Sequence, residues 1–150
     1  MKMKIDRTNS NNPNFKELCF ELDNDLNHRY GEEQSKYDKH NTIEDNHTVI
    51  VGYLDETPIA IGCFKAIDRE SIEIKRMYVS PAYRRKGFST KILSSLENWA
   101  KELNYAIARL ETGKGQPEAI GLYLKAGYEI TANYGPYIGI ENSVCMKKIL

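Results

Sequence analysis

Residues 72–93 read IEIKRMYVSPAYRRKGFSTKIL. Apolar and polar residues alternate up to Val79, the period of a β-strand, and Pro81 ends the run because it has no N–H to give a ladder. The alternation puts Ile72, Ile74 and Tyr78 on one face and Glu73, Lys75 and Met77 on the other. From Gly87 the period changes. Phe88, Ile92, Leu96, Trp99, Ala100 and Leu103 form the apolar stripe of an amphipathic helix. Between strand and helix stand Arg84, Arg85, Lys86 and Gly87. A helix start already carries unpaired N–H groups and partial positive charge, so three more cations there point to an anionic partner. Gly87 lets such a group approach the backbone, Ser89 and Thr90 offer hydroxyls, the arginines grip oxygens in pairs, and Lys86 adds a point charge. A pyrophosphate satisfies this set better than a single carboxylate. The competing reading is a solvated basic loop. Neither the P-loop pattern nor the Gly-x-Gly-x-x-Gly fingerprint is present, which disfavours a nucleoside triphosphate or a nicotinamide cofactor.

Working outward, HTVIVGYL and PIAIGCFKAI flank a short turn at residues 55–57 and read as a hairpin leading into this strand. Further upstream, Phe15, Leu18, Leu22 and Leu26 predict a helix, capped by Asn12 or Asn14 and stopped by Gly31. The polar stretch 32–46 reads as a short helix plus loop. Downstream, AIARLE is a strand, and QPEAIGLYLKAG is a helix opening at Gln116 and Pro117 and closing at Gly127. YEITANY and SVCMKKI complete a strand-rich end. The expected order is β-α-(α)-β-β-β-α-β-α-β-β, a mixed α/β sheet covered by helices.

At 150 residues the chain suits one domain. Its 21 basic and 21 acidic side chains balance, which argues against a general nucleic-acid binder. Cys19, Cys63 and Cys145 are widely spaced and odd in number, so no disulfide framework is expected, and Cys63 and Cys145 read as core residues. His28, His40 and His47 lie in polar segments without metal spacing and read as solvated; no metal is expected. No signal-peptide run or bilayer-length apolar stretch appears, so a cytoplasmic protein with no membrane partner is expected.

IEIKRMYVSPAYRRKGFSTKIL resembles the central motif of the GNAT superfamily, the acyl-CoA-dependent N-acyltransferases. There a strand ends in an apolar-x-Val-x-Pro pattern and Arg/Gln-x-x-Gly-x-Gly/Ala opens a long helix; here Ser89 stands at the last position. LETGKGQPEAIGLYLKAGYEI resembles the family's later strand, loop, helix and Leu-Tyr…Gly-Tyr ending, so the likeness covers roughly residues 47–133. NYGPYIGIENSVCMKK resembles the closing strands of a bacterial-type subgroup of unassigned substrate.

The resemblance implies a central mixed, mostly antiparallel sheet with a splayed parallel pair, and acetyl-CoA as co-substrate. Its pyrophosphate would sit on Arg84, Arg85, Lys86, Gly87, Phe88, Ser89 and Thr90, and its pantetheine along the backbone of Met77, Tyr78 and Val79. Glu73 is the candidate base; a carboxylate simply paired with Lys75 or Lys65 is the alternative. Tyr123 matches the tyrosine that protonates the leaving thiolate, against a core role with Ile120 and Leu124. Gln116 stands where relatives contact the cofactor, or it caps its helix. Asn133, Tyr134 and Tyr137 are expected to line the acceptor pocket. Arg76 either pairs with an acidic neighbour or holds an acidic acceptor. The expected activity is acetyl transfer to a primary amine on a small molecule, by a monomer or homodimer. A non-catalytic acyl-CoA sensor and an enzyme acting on protein amines are the competing readings.

Overall fold

The computed structural model describes residues 2–30 and 43–150. The expected stop at Gly31, His40 and most of the polar 32–46 segment lie outside the described residues. Among the described residues, seven strands form one sheet in the order β1-β2-β3-β4-β5-β7-β6. The strands are β1 (Lys4–Thr8), β2 (Val49–Leu54), β3 (Thr57–Ala66), β4 (Ser71–Val79), β5 (Ile107–Gly113), β6 (Glu129–Thr131) and β7 (Ser143–Ile149). The helices are α1 (Pro13–Tyr30), α2 (Phe88–Glu102) and α3 (Pro117–Lys125). All neighbours pair antiparallel except β4 and β5, which are joined through α2 and run parallel. This is the mixed, mostly antiparallel sheet that the sequence led us to expect.

Two apolar clusters hold the layers together. On one face α2 lays Ile92, Leu93 and Leu96 against Ile50, Ile59, Phe64, Ile72 and Ile74. On the other, Phe15, Leu18, Leu22 and Leu26 of α1 cover Val49, Val51, Ile61 and Cys63. Each such side chain taken fully out of water stabilises the fold by roughly 1.5–3 kcal/mol before chain entropy is counted. Asn12, of the two cap candidates, starts α1: its Oδ1 accepts from the N–H groups of Asn14 (2.9 Å) and Phe15 (3.0 Å). Leu103, expected on the apolar stripe of α2, falls just past the helix end and is exposed.

One expectation on β4 fails. In the β3–β4 ladder Cys63 faces Lys75, yet Ile61 faces Tyr78. Arg76 and Met77 therefore oppose Gly62 alone, a β-bulge with Arg76 at φ 58°. One added residue inverts the parity of everything after it. Met77 and Val79 join Ile72 and Ile74 on the α2 face, whereas Tyr78 packs under α1 on the same face as Glu73 and Lys75. The bulge is fixed by Arg76, buried and paired with Asp23 of α1 at 2.7 Å. That pairing makes Arg76 structural, the first of its two expected roles.

Candidate active site

Parallel pairing of β4 with β5 runs from Ser71↔Ile107 to Ile74↔Leu110 and stops. The bulge lies immediately beyond, and the two strands part there. The cleft between them is walled by residues 74–77 of β4, 111–113 of β5, Leu22 and Leu26 of α1, and Tyr123 of α3. The Ser80 N–H goes to the Ile59 carbonyl at 2.8 Å, towards β3. Strand alternation then turns the polar groups of Tyr78 towards β3 as well, and those of Met77 and Val79 towards the cleft.

The cation-rich turn follows the end of β4 in the chain. Arg85 (φ 64°) and Gly87 (φ 82°) both take left-handed conformations, and α2 begins at Phe88 with no side chain capping it. Left-handed residues alternating with right-handed ones curve the backbone into a concavity of N–H groups that favours an anion. A Cβ on Gly87 would meet no atom within 4 Å, so the space above the turn is open. Arg85, Lys86 and Thr90 are exposed there and Ser89 is half-buried. Phe88 sends its ring into the core and offers only its backbone. Arg84 turns back: its Nε donates to the Val79 carbonyl at 2.8 Å and its guanidinium lies 5.3 Å from the Tyr78 ring centre, bracing the turn.

These two features, a parted parallel pair and an open, cation-rich helix start, coincide with a family match. The pattern of the acetyltransferase (GNAT) family matches residues 15–128. The chain belongs to that family.

Two curated relatives are similar over part of this GNAT chain. "Probable N-acetyltransferase 14" of Xenopus tropicalis is 37% identical over 67 residues, 45% of this chain and 32% of that protein. IAA acetyltransferase of Azospirillum brasilense is 36% identical over 93 residues, 60% of this chain and 61% of that protein. The chain thus spans less than two thirds of the length of either relative. In fold it is similar to PaiA N-acetyltransferase of Thermoplasma acidophilum in complex with coenzyme A, with a TM-score of 0.73, 17% identity and 100% of both chains covered.

Within the GNAT cleft the expected site residues divide. Tyr123 lines it and is buried; burial first, then the charge of Glu111, holds its phenol above the ordinary value. Tyr137 and Gln116 line it too, and Gln116 makes no side-chain cap bond. Glu73 does not line the cleft. It is buried behind it, with Oε2 accepting from the Tyr134 hydroxyl at 2.7 Å and Oε1 at 3.8 Å from Lys75 and 3.9 Å from Lys65. Asn133 staples its own loop, donating from Nδ2 to the carbonyls of Tyr137 and Ile140, each at 3.1 Å. Tyr134 packs edge-on against Tyr137. The expected trio thus forms a wall in which only Tyr137 lines the cleft.

Sequence reading missed Glu111. It lies in the cleft on β5, and its Oε2 accepts from Ser143 Oγ at 2.7 Å. The signal was present in IARLETG: alternation sets Ala108 and Leu110 in the core and points Arg109 and Glu111 the other way, placing two charges on a strand at mid-sheet.

The three cysteines are all buried and free. Burial pushes the Cys19 and Cys63 thiols up to about 12 and also raises Cys145. At pH 8 a thiol with that value is about 0.01% thiolate, the reactive form. The folded chain should therefore react only slowly with an aromatic disulfide reagent, and unfolding in denaturant should release all three thiols. Rapid modification of one thiol in the folded chain would contradict this burial.

Proposed function

We propose that this chain transfers an acetyl group from acetyl-CoA to a primary amine on a small molecule, by direct attack within a ternary complex. The observation that carries this reading is the parting of β4 from β5, on a strand that runs through a short turn into the open, cationic start of α2. The pyrophosphate rests on the N–H groups at residues 88–90, with Arg85 and Lys86 beside it and the Ser89 and Thr90 hydroxyls within the same turn. The pantetheine arm pairs with the cleft-side backbone of Met77 and Val79. A β4 N–H polarises the thioester carbonyl, a contact worth about 3 kcal/mol of barrier in comparable sites.

An alkylammonium, with an ordinary pKa of about 10, must lose a proton before it attacks. The carboxylates Glu73 and Glu111 are close enough to the cleft to meet that need. The departing thiolate takes a proton from Tyr123, whose raised pKa keeps the phenol protonated at neutral pH. Tyr123→Phe should lower kcat about 100-fold, the scale of a lost general acid, and leave acetyl-CoA affinity within threefold. A tyrosine serving only as core would show the reverse, a loss of stability with kcat retained.

Leu22, Leu26 and Tyr137 line the cleft with apolar and aromatic surface, which supports a small amine as the acceptor. Calorimetric titration with acetyl-CoA, followed by thiol release against panels of small amines and of peptides, tests the whole reading. Binding with release driven by small amines is expected. Release driven only by peptides would reverse the acceptor class, binding without release would favour a sensor, and absence of binding would overturn the reading.

A further inference from the structure

The cleft has two carboxylates near it, and they are held differently. Both oxygens of Glu73 already face donors: Tyr134 on Oε2, Lys75 and Lys65 near Oε1. A proton arriving there must displace one of them, and Glu73 does not reach the cleft surface. Glu111 does. Ser143 holds its Oε2 at 2.7 Å, which fixes the carboxylate while leaving a second oxygen with which to take a proton. Tyr123 lines the same cleft, close enough that the Glu111 charge acts on its phenol. Acid and base thus stand in one cavity.

We propose that Glu111 takes the proton of the attacking ammonium, and that Glu73 is a positioning residue whose hydrogen bond from Tyr134 sets the acceptor wall. The assignment rests on the acetyl-transfer reading above. In this scheme one ammonium proton passes to the Glu111 carboxylate, and the freed nitrogen lone pair forms the N–C bond. The C–S bond breaks, its electron pair leaves on sulfur, and the thiolate takes the Tyr123 proton. The surplus proton on the new amide nitrogen restores Tyr123, and Glu111 releases its own to solvent. The sum is ammonium plus acetyl-CoA giving amide, CoA thiol and one proton.

The groups facing Glu111 are Glu73 and Lys75 on β4, Tyr123 on α3, Tyr137 on the turn before β7, and Ser143 and Cys145 on β7. Burial raises its pKa, with the Ser143 bond opposing, the Glu73 charge adding and Lys75 opposing; the net direction is upward. A base acts unprotonated, so the rate should climb with pH through that raised value.

The test measures kcat/KM against pH for the full chain, using acetyl-CoA and the small amine that gives fastest thiol release, in wild type, Glu111→Gln, Glu73→Gln and Ser143→Ala. Calorimetric acetyl-CoA affinity serves as the check on folding. Glu111→Gln should bind acetyl-CoA within threefold of wild type, lose about 100-fold in kcat at pH 7, and lose the acidic limb. Ser143→Ala removes the bond that lowers the Glu111 pKa, so its limb should move to higher pH. Glu73→Gln should keep the limb whatever its rate. If Glu111→Gln keeps both rate and limb, or if the limb vanishes in Glu73→Gln instead, the assignment is overturned while acetyl transfer stands. If wild type acetylates no amine, the acetyl-transfer reading falls and takes this assignment with it.

Discussion

Gly87→Glu should weaken acetyl-CoA binding about 100-fold and cost the fold little. Two unit charges about 5 Å apart at an effective dielectric near 20 repel by about 3 kcal/mol, and solvent screening trims that towards a factor of 100. The new carboxylate would sit where the open space above the turn receives the anion. Two local effects on stability oppose each other. A side chain at φ 82° is strained by about 1–2 kcal/mol, but a carboxylate at a helix N-terminus recovers about 0.3–1 kcal/mol. Gly87→Ala carries the strain without the charge, so comparing the two isolates the electrostatic part. That part should shrink as salt is raised. Equal affinities in the glutamate variant and wild type would remove the pyrophosphate from this turn.

Gly62→Val should be the most damaging of the substitutions considered for stability, about 3 kcal/mol, at the upper end for an overpacked core. A Cβ at Gly62 would lie 2.8 Å from Ile92 Cγ2, 2.8 Å from Leu96 Cδ1 and 2.9 Å from Met77 Sδ. Ile92 and Leu96 are fully buried, so they have nowhere to retreat without moving α2. Because α2 carries at its start the turn proposed to hold the pyrophosphate, the variant should lose acetyl-CoA affinity as well as stability in urea. A variant that unfolds at the wild-type urea midpoint would show that α2 sits more loosely on β3 than these contacts imply.

The strand, turn and helix of residues 72–93 were legible because their periods differ, two residues in one and 3.6 in the other, with Pro81 and Gly87 marking the change. The Asn12 cap was legible for a similar local reason. Arg76 was not. A bulge is a property of a pair of strands, and its presence depends on Gly62 standing opposite, fourteen positions away in the chain. Arg84 looked like a phosphate ligand among three adjacent cations, and only the fold shows it turned onto the Val79 carbonyl. Glu111 was overlooked because a charge at a strand end is ordinary. It gains its meaning from the gap where β4 leaves β5, which neither strand's own sequence records.

The bulge at Arg76 also divides one strand into two independently adjustable parts. Before it, Glu73 accepts from Tyr134 and Lys75 lines the cleft; after it, Met77 and Val79 turn their backbone polar groups towards the cleft. On the proposed reading, side chains at the first pair can be exchanged to suit another amine without touching the edge proposed to hold the coenzyme, because that edge uses main-chain atoms common to every residue type but proline. The same partition gives a practical rule for redesign: libraries aimed at new acceptors should vary 73, 75, 134 and 137, and leave Glu111, the bulge and everything from 77 to 90 unaltered.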